Sequence, residues 1–274
     1  MSLLPAALSS RLAPYRAVLS ARLRSQTAYR ASFVLDLAGS LLIGLAELAE
    51  VWVLFHNIDA LADLDYAGML VVFGLGSLAF SLADLVVGHV DNLPRFIRAG
   101  TVEAFHLRPL PVLTQLMTSD LSLKRLSRSG VGVVSLLVGM HLAGVEPSTT
   151  VIGMVLLATV FGAALFAGLF VTAAGCQFWL INGKEMVNAF TYGGSYAAQQ
   201  PPAIFSPGLK VVFGWIVPVV FVAYLPATVV LGLPGEGLFP AWTAWLLPVA
   251  AAWVWVIALL VWRAGVHHYQ GAGG

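Results

Sequence analysis

A chain of 274 residues, 59% hydrophobic and only 10% charged, with a mean hydropathy of +0.88, is excluded from the soluble classes that its length would otherwise allow. It reads as an integral membrane protein. The net charge of +1 argues neither for nor against nucleic acid, because in a membrane chain the placement of basic residues matters more than their sum.

The first thirty residues hold Arg11, Arg16, Arg22, Arg24 and Arg30 and lack a short apolar core followed by a small-residue cleavage site, so they do not read as a secretory signal. Leu12, Tyr15, Leu19 and Leu23 recur at helical spacing between these arginines. The pattern predicts either an amphipathic helix in the inner headgroup region or a plain start-of-chain anchor. A bilayer core about 30 Å thick takes roughly twenty apolar residues as a helix and forbids unpaired backbone. Long apolar runs therefore predict spans at 31–55, 68–90, 129–145, 151–180 and 241–262. Between Met186 and Gly232 two readings stand. In one, 209–232 is the fifth span and 181–208 a cytoplasmic loop. In the other, 186–205 crosses as a shorter, more polar span, and 206–232, interrupted by Pro207, Pro218 and Pro226, dips into the outer leaflet and returns. Both give six crossings.

Orientation follows from the basic residues. Beyond the first thirty residues, Arg95, Arg98, Arg108, Lys124, Arg125 and Arg128 fall between the second and third spans, Lys184 follows the fourth and Arg263 the sixth. Of the 14 Lys and Arg, only Lys210 changes sides between the two readings, so both termini are expected in the cytoplasm. The opposite loops are acidic, with Asp59, Asp63, Asp65, Glu146 and Glu236. The only cysteine, Cys176, sits in an apolar run, which precludes an intrachain disulfide and leaves the redox compartment unread.

Ionisable residues inside spans are costly and are functional candidates by default. Asp36, Ser40, Glu47 and Glu50 fall close to one face of the first span, and Asp84 lies in the second. Such an acidic lining suits cationic, amphipathic cargo; alternatively, Asp36 and Asp84 pair with inner-side arginines while Glu47 and Glu50 reach the outer headgroups. Asn188, Tyr192, Ser195 and Gln199 make one polar face on a helix. It faces a central path or hydrogen-bonds a neighbouring helix. Ala158, Gly162, Ala164, Gly168 and Gly175 give the fourth span small-residue spacings suited to close packing within the subunit. Trp52, Trp179, Trp242, Trp245 and Trp262 fall near the expected membrane interfaces as anchors. The six histidines are scattered, and only the terminal pair His267 and His268 is adjacent, so no metal site and no catalytic constellation is expected.

The densest polarity between spans lies in "RFIRAGTVEAFHLRPLPVL", residues 95–113. Pro94 can start a helix, Gly100 can bend it, and Pro109 with Pro111 end the helical stretch beyond the bend. Ile97, Val102 and Phe105 can hold the segment against the membrane helices, leaving Arg95, Arg98, Glu103, His106 and Arg108 for a protein partner. The other reading is that the arginines only enforce topology and bind anionic lipid. "TAYRASFVLDL" before the first span, "LPRFIRAGTVEAFHLRPL" after the second and "PPAIFSPGLKVVFGWIVPVVFVAYLPATVVLG" before the last together resemble the permease subunits of ABC-2 type exporters, most closely the branch with an I-R-x-G…L-R-P loop. The order and spacing of three weak motifs over nearly the whole chain carry this resemblance.

The resemblance implies an all-α fold with six transmembrane helices, an N-terminal amphipathic interfacial helix (1–30), a permease domain (31–262), a cytoplasmic tail (263–274), a coupling helix between spans two and three, and an outer-leaflet re-entrant hairpin before span six. It implies two cytoplasmic P-loop ATPase subunits as partners, a second permease subunit, identical or related, and contact with membrane lipids. The coupling residues are then Arg95, Arg98, Gly100, Glu103, His106, Arg108 and Pro109, and the translocation path takes Asp36, Glu47, Asp84, Asn188, Tyr192, Ser195 and Gln199. No cofactor is expected in this chain, since "FWLINGKEM" lacks the upstream glycine of a phosphate-binding loop; ATP and Mg would be held by the partner. The expected activity is ATP-driven export of an amphipathic molecule, drug-like or lipid-like, across a bacterial inner membrane. A self-sufficient proton-coupled transporter or lipid-shuffling protein is the rival, and it predicts inverted repeats that 31–145 and 151–262 do not display.

Overall fold

The structure is a computed structural model that describes residues 30–107, 111–119, 125–180 and 184–269. The expected interfacial helix before residue 30, Arg108, Pro109 and the end of the tail lie outside the described residues. Within them the chain is almost wholly helical. Two long helices come first, α1 (Arg30–Asn57) and α2 (Tyr66–Val87). Three short ones follow: α3 (Leu93–Arg98), α4 (Val102–His106) and α5 (Val112–Ser119). Then come α6 (Arg125–Leu142), α7 (Thr149–Cys176) and α8 (Lys184–Ala198). A broken segment contains α9 (Pro207–Val211) and α10 (Tyr224–Leu231); a minimal hairpin, β1 (Gly235–Glu236) with β2 (Phe239–Pro240), leads to α11 (Leu247–His268).

Local chemistry sets several of these ends. The Asp65 carboxylate accepts from the Gly68 amide at 2.7 Å and the Ser148 hydroxyl from the Val151 amide at 3.2 Å, so α2 and α7 both start on a side-chain cap. Pro248 is tolerated in the first turn of α11, where its missing N–H has no intrahelical duty. Residues 241–246 ahead of it wind as a tighter 3₁₀ turn, so the α-helix begins at Leu247, later than the apolar run alone predicts.

α2 is the axis of the bundle. Its apolar stretch is 72% buried inside the protein, whereas that of α1 is 11% buried, which places α1 at the periphery. A Cβ at Gly74 would lie 2.6 Å from the Leu136 backbone nitrogen, at Gly132 2.9 Å from that of Leu78, and at Gly139 2.8 Å from that of Val71. These pairings descend along α2 as they ascend along α6, so the two helices run antiparallel with their backbones in contact. Ser81 and Ser129 share a hydrogen bond at 2.7 Å, and the Ser135 hydroxyl donates to the Leu70 carbonyl at 3.1 Å, stitching the same seam.

The small residues of α7 also receive neighbours. Gly168 faces Val254 and Gly175 faces Trp262, so α11 lies parallel to α7. The Trp255 indole donates to the Ala164 carbonyl at 2.8 Å. α8 returns along α2 in the opposite direction, placing Tyr192 on Phe80 and Gln199 on Gly76. Residues 184–198 are thus a packed helix, which departs from the reading of 181–208 as a loop.

The bent pair Pro207–Ile216 and Val219–Leu231 turns by 68°. Pro218, with no N–H to donate, sits at the break. Val219 to Ala223 are fully or almost fully buried: Val222 lies against Gly162 and Ala223 against Gly76, midway along α7 and α2. Leu231 reaches Gly68 at the start of α2, and the first arm meets the hairpin that follows α10 through Lys210 on Glu236 at 2.6 Å and Gly214 under Phe239. Both arms therefore belong to the end of the bundle that carries residues 58–65.

Four helices among the described residues are long and apolar enough to cross a membrane: Ala31–Asn57, Tyr66–Arg98, Thr149–Cys176 and Ala241–His268. The bent pair reaches that standard only as a unit. α6, which opens with Arg125 and Arg128, and α8, at 15 residues, are further rods of the bundle that do not reach it alone.

Candidate functional site

At the end of the bundle opposite residues 58–65, α2 runs through a 3₁₀ turn, Gly88–Asn92, into α3. Pro94 stands in the first turn of α3, and Gly100 ends it with φ of +64°. The Gly100 amide donates to the Ile97 carbonyl at 3.1 Å and the Thr101 amide to the Phe96 carbonyl at 3.0 Å, a paired closure that requires the left-handed conformation glycine adopts freely. The chain turns there, and α4 folds back so that Phe105 meets Phe96 edge to face at 5.4 Å. Leu93, Val102 and Leu116 are fully buried, and the Gln115 amide donates to the Phe105 carbonyl at 2.8 Å, clamping α4 onto α5.

This clamp leaves a charged surface. Arg95, Arg98 and Glu103 are exposed, and Leu107 stands 87% exposed beyond them. Arg98 also donates to the Pro94 carbonyl at 3.3 Å, which fixes its stem while leaving its head in solvent. Ile97, Val102 and Phe105 face inward as their apolar character requires. His106 closes α4; its side chain lies outside the described residues, as do Arg108 and Pro109 altogether.

The intramembrane carboxylates divide into three environments. Asp84 pairs with Arg125 at 3.0 Å, and the same guanidinium donates to the Asp84 carbonyl, in line with pairing to an arginine of the loop before the third span. Glu47 is paired too. It accepts from Arg128 at 2.7 Å, and the guanidinium lies 5.1 Å from the centre of the Phe80 ring, so one cation on α6 holds α1 and α2 together. Asp36 is exposed on α1, about three helical turns from Glu47.

A cleft of about 260 Å³ opens between α1, α2 and α8. Glu47, Glu50, Tyr196, Gln199 and Gln200 supply its polar wall, with Met69 and Phe73 among its apolar wall. Two of the expected path residues, Glu47 and Gln199, therefore meet here across two helices. Ser195 is buried behind Gln199, whose amide donates to it at 3.3 Å. Tyr192 packs instead on Phe80 and Phe170, and Asp84 belongs to the other ion pair. The Asn188 side chain lies outside the described residues. The sequence pattern misses Tyr196 and Gln200 because the polar stripe through 188, 192, 195 and 199 is centred one residue off the lining face; their own i, i+4 spacing is the signal that points to them. Among the tryptophans, Trp262 is buried against Phe178 at 5.5 Å, so its ring packs inside the protein.

A bundle of long apolar helices around a bent segment whose second arm is buried, with a polar cleft between helices and a clamped charged element at one end, is the build of a membrane transport subunit. Residues 41–273 match the family described as ABC-2 family transporter protein, and the chain belongs to that family; it is a membrane permease component of an ABC transporter. No curated protein and no solved structure matches the chain.

Proposed function

We propose that this chain is the permease subunit of an ABC exporter in a bacterial inner membrane, crossing six times with both termini cytoplasmic. Residues 206–232 then form a re-entrant hairpin in the outer leaflet. Two cytoplasmic ATPase subunits supply the energy through residues 95–109, and a second permease, identical or related, completes the path. The cargo is amphipathic, and the cleft at Glu47, Glu50, Tyr196 and Gln199 favours a cationic one: with Glu47 paired to Arg128, the Glu50 carboxylate supplies the charge, and Phe73 an aromatic face.

The observation that carries this reading is the build of residues 93–107: Leu93 and Val102 fully buried with Phe96, Ile97 and Phe105 half-buried on one side, and Arg95, Arg98, Glu103 and Leu107 exposed on the other. An element whose only duty was topology would need the arginines without the glycine-capped turn and the clamp. The test is extraction of the complex from native membranes. The expected result is a co-purifying chain that photolabels with an azido-ATP analogue and is lost on Arg98→Glu. Transport by the purified permease alone in liposomes would overturn the reading.

A further inference from the structure

The charged segment 93–107 is not the whole of the surface at its end of the bundle. Residues 88–92 pack against α7, so the segment hangs from α7 as well as from α2. α7 is in turn locked to the last turns of α11: a Cβ at Gly265 would lie 2.8 Å from the Gly175 carbonyl oxygen, and Phe178 stacks edgewise on both Trp262 and Tyr269. On this rigid backing, Trp179 stacks on His268 at 5.7 Å with the rings only 25° apart. Trp179 is 41% exposed, and His267 and His268 are exposed beside it. Burial, and after it the Glu103 carboxylate of α4, raises the Tyr269 phenol above its ordinary range, in keeping with Tyr269 lying at the same end of the bundle as α4.

We propose that the Trp179–His268 stack, with His267 and Tyr269, is a second foothold for the same ATPase subunit that takes residues 95–107. The inference rests on the proposed function. An aromatic stack held by two locked helices, partly desolvated and at the same end of the bundle as an exposed charged element, is the composition of a protein contact: a preordered aromatic anchor with charges that set orientation. It gives the partner a grip on the α7–α11 pair in addition to α2, so one docking event can move both halves of the bundle.

The anionic lipid surface is the competing occupant, and the experiment separates the two. In a Cys176→Ser background, His268→Cys is labelled with a benzophenone maleimide and photolysed in the complete complex in native-lipid discs. Cross-links to the azido-ATP-labelled chain are expected; cross-links to lipid alone overturn the inference. As a second readout, Trp179→Ala with His268→Ala is expected to weaken retention of the ATPase by about tenfold, as for loss of an aromatic anchor. Trp242→Ala, exposed beside the β-hairpin at the other end, is expected to retain it. If Arg98→Glu releases the ATPase while the Trp179 and His268 double variant keeps it, this inference fails and the export reading survives. If the wild-type complex carries no ATPase, both fail together.

Discussion

Arg128 holds α1 to the rest of the protein, and its removal makes a demanding test of the structure. Among the described residues of α1 only Gly44 and Val51 are buried. Gly44 rests on Val131, Leu48 and Phe55 pack on the core, Phe55 meets Tyr66 at 6.1 Å, and Glu47 pairs with Arg128, their side chains 11% and 18% exposed. At an effective dielectric of about 20, unit charges about 4 Å apart attract by about 4 kcal/mol. Partial exposure screens this and desolvation offsets part of it, while removing one partner of a largely buried pair costs about 3–5 kcal/mol because the other charge is stranded. Phe80 gives the guanidinium about 1 kcal/mol of further reason to stay. A double-mutant cycle of Glu47→Gln and Arg128→Gln is therefore expected to return a coupling of about 3 kcal/mol, with either single variant losing more stability than the pair of changes together. The assay is thermal unfolding in detergent, paired with limited proteolysis between α1 and α2, where local detachment shows before global unfolding. The exchange Glu47→Arg with Arg128→Glu should recover part of the loss. A coupling below about 0.5 kcal/mol would place the pair with exposed ion pairs of little worth and refute the claim that it fastens α1.

Three further outcomes are expected. Gly74→Ala places a methyl 2.6 Å from the Leu136 backbone, which cannot step aside, and should cost about 1–3 kcal/mol by thermal unfolding, while Gly153→Ala, with nothing within 4 Å, should be neutral. Gly100→Ala forces a side chain into the left-handed region for a local cost of about 1–2 kcal/mol; cargo-stimulated ATP hydrolysis by the assembled complex should fall while the subunit stays monodisperse. Glu50→Gln should raise the KM for a permanently charged cationic dye several-fold and leave a neutral dye unchanged; equal effects on both would remove the charge argument for the cleft.

Much of the fold was legible because its signals are local. Apolar length marked the long helices, and Pro94 and Gly100 announced a short helix and a turn from the chemistry of single backbone positions. Small residues along α7 announced close packing, but not that Gly168 and Gly175 receive α11 while Gly162 receives Val222. The partner of Glu47 was illegible for the same reason: Arg128 lies 81 residues away, and only the crossing of α1 over α6 brings them together. The glycine seam of α2 with α6 left a trace in the seven-residue spacing of Gly132 and Gly139, yet its meaning depends on Gly74 in another helix.

These contacts also say which parts of the bundle can move against which. α2 and α6 touch backbone to backbone, so a shear between them would drive glycines into the facing main chain; they behave as one body. The tip of the bent segment rests on Gly76 of α2 and on Gly162 of α7, and α7 is locked to α11, so displacement of residues 93–107 is delivered to the middle of the bundle without a flexible joint. α1 has no such seam. Among its described residues it is held by the Glu47–Arg128 pair, which sits at the wall of the cleft, and by apolar contacts of Gly44, Leu48, Val51 and Phe55. On the proposed function, the element that yields when the ATPase pushes is therefore α1, and Glu47, leaving Arg128 as α1 moves, would present its carboxylate to the cleft at the moment the cleft widens.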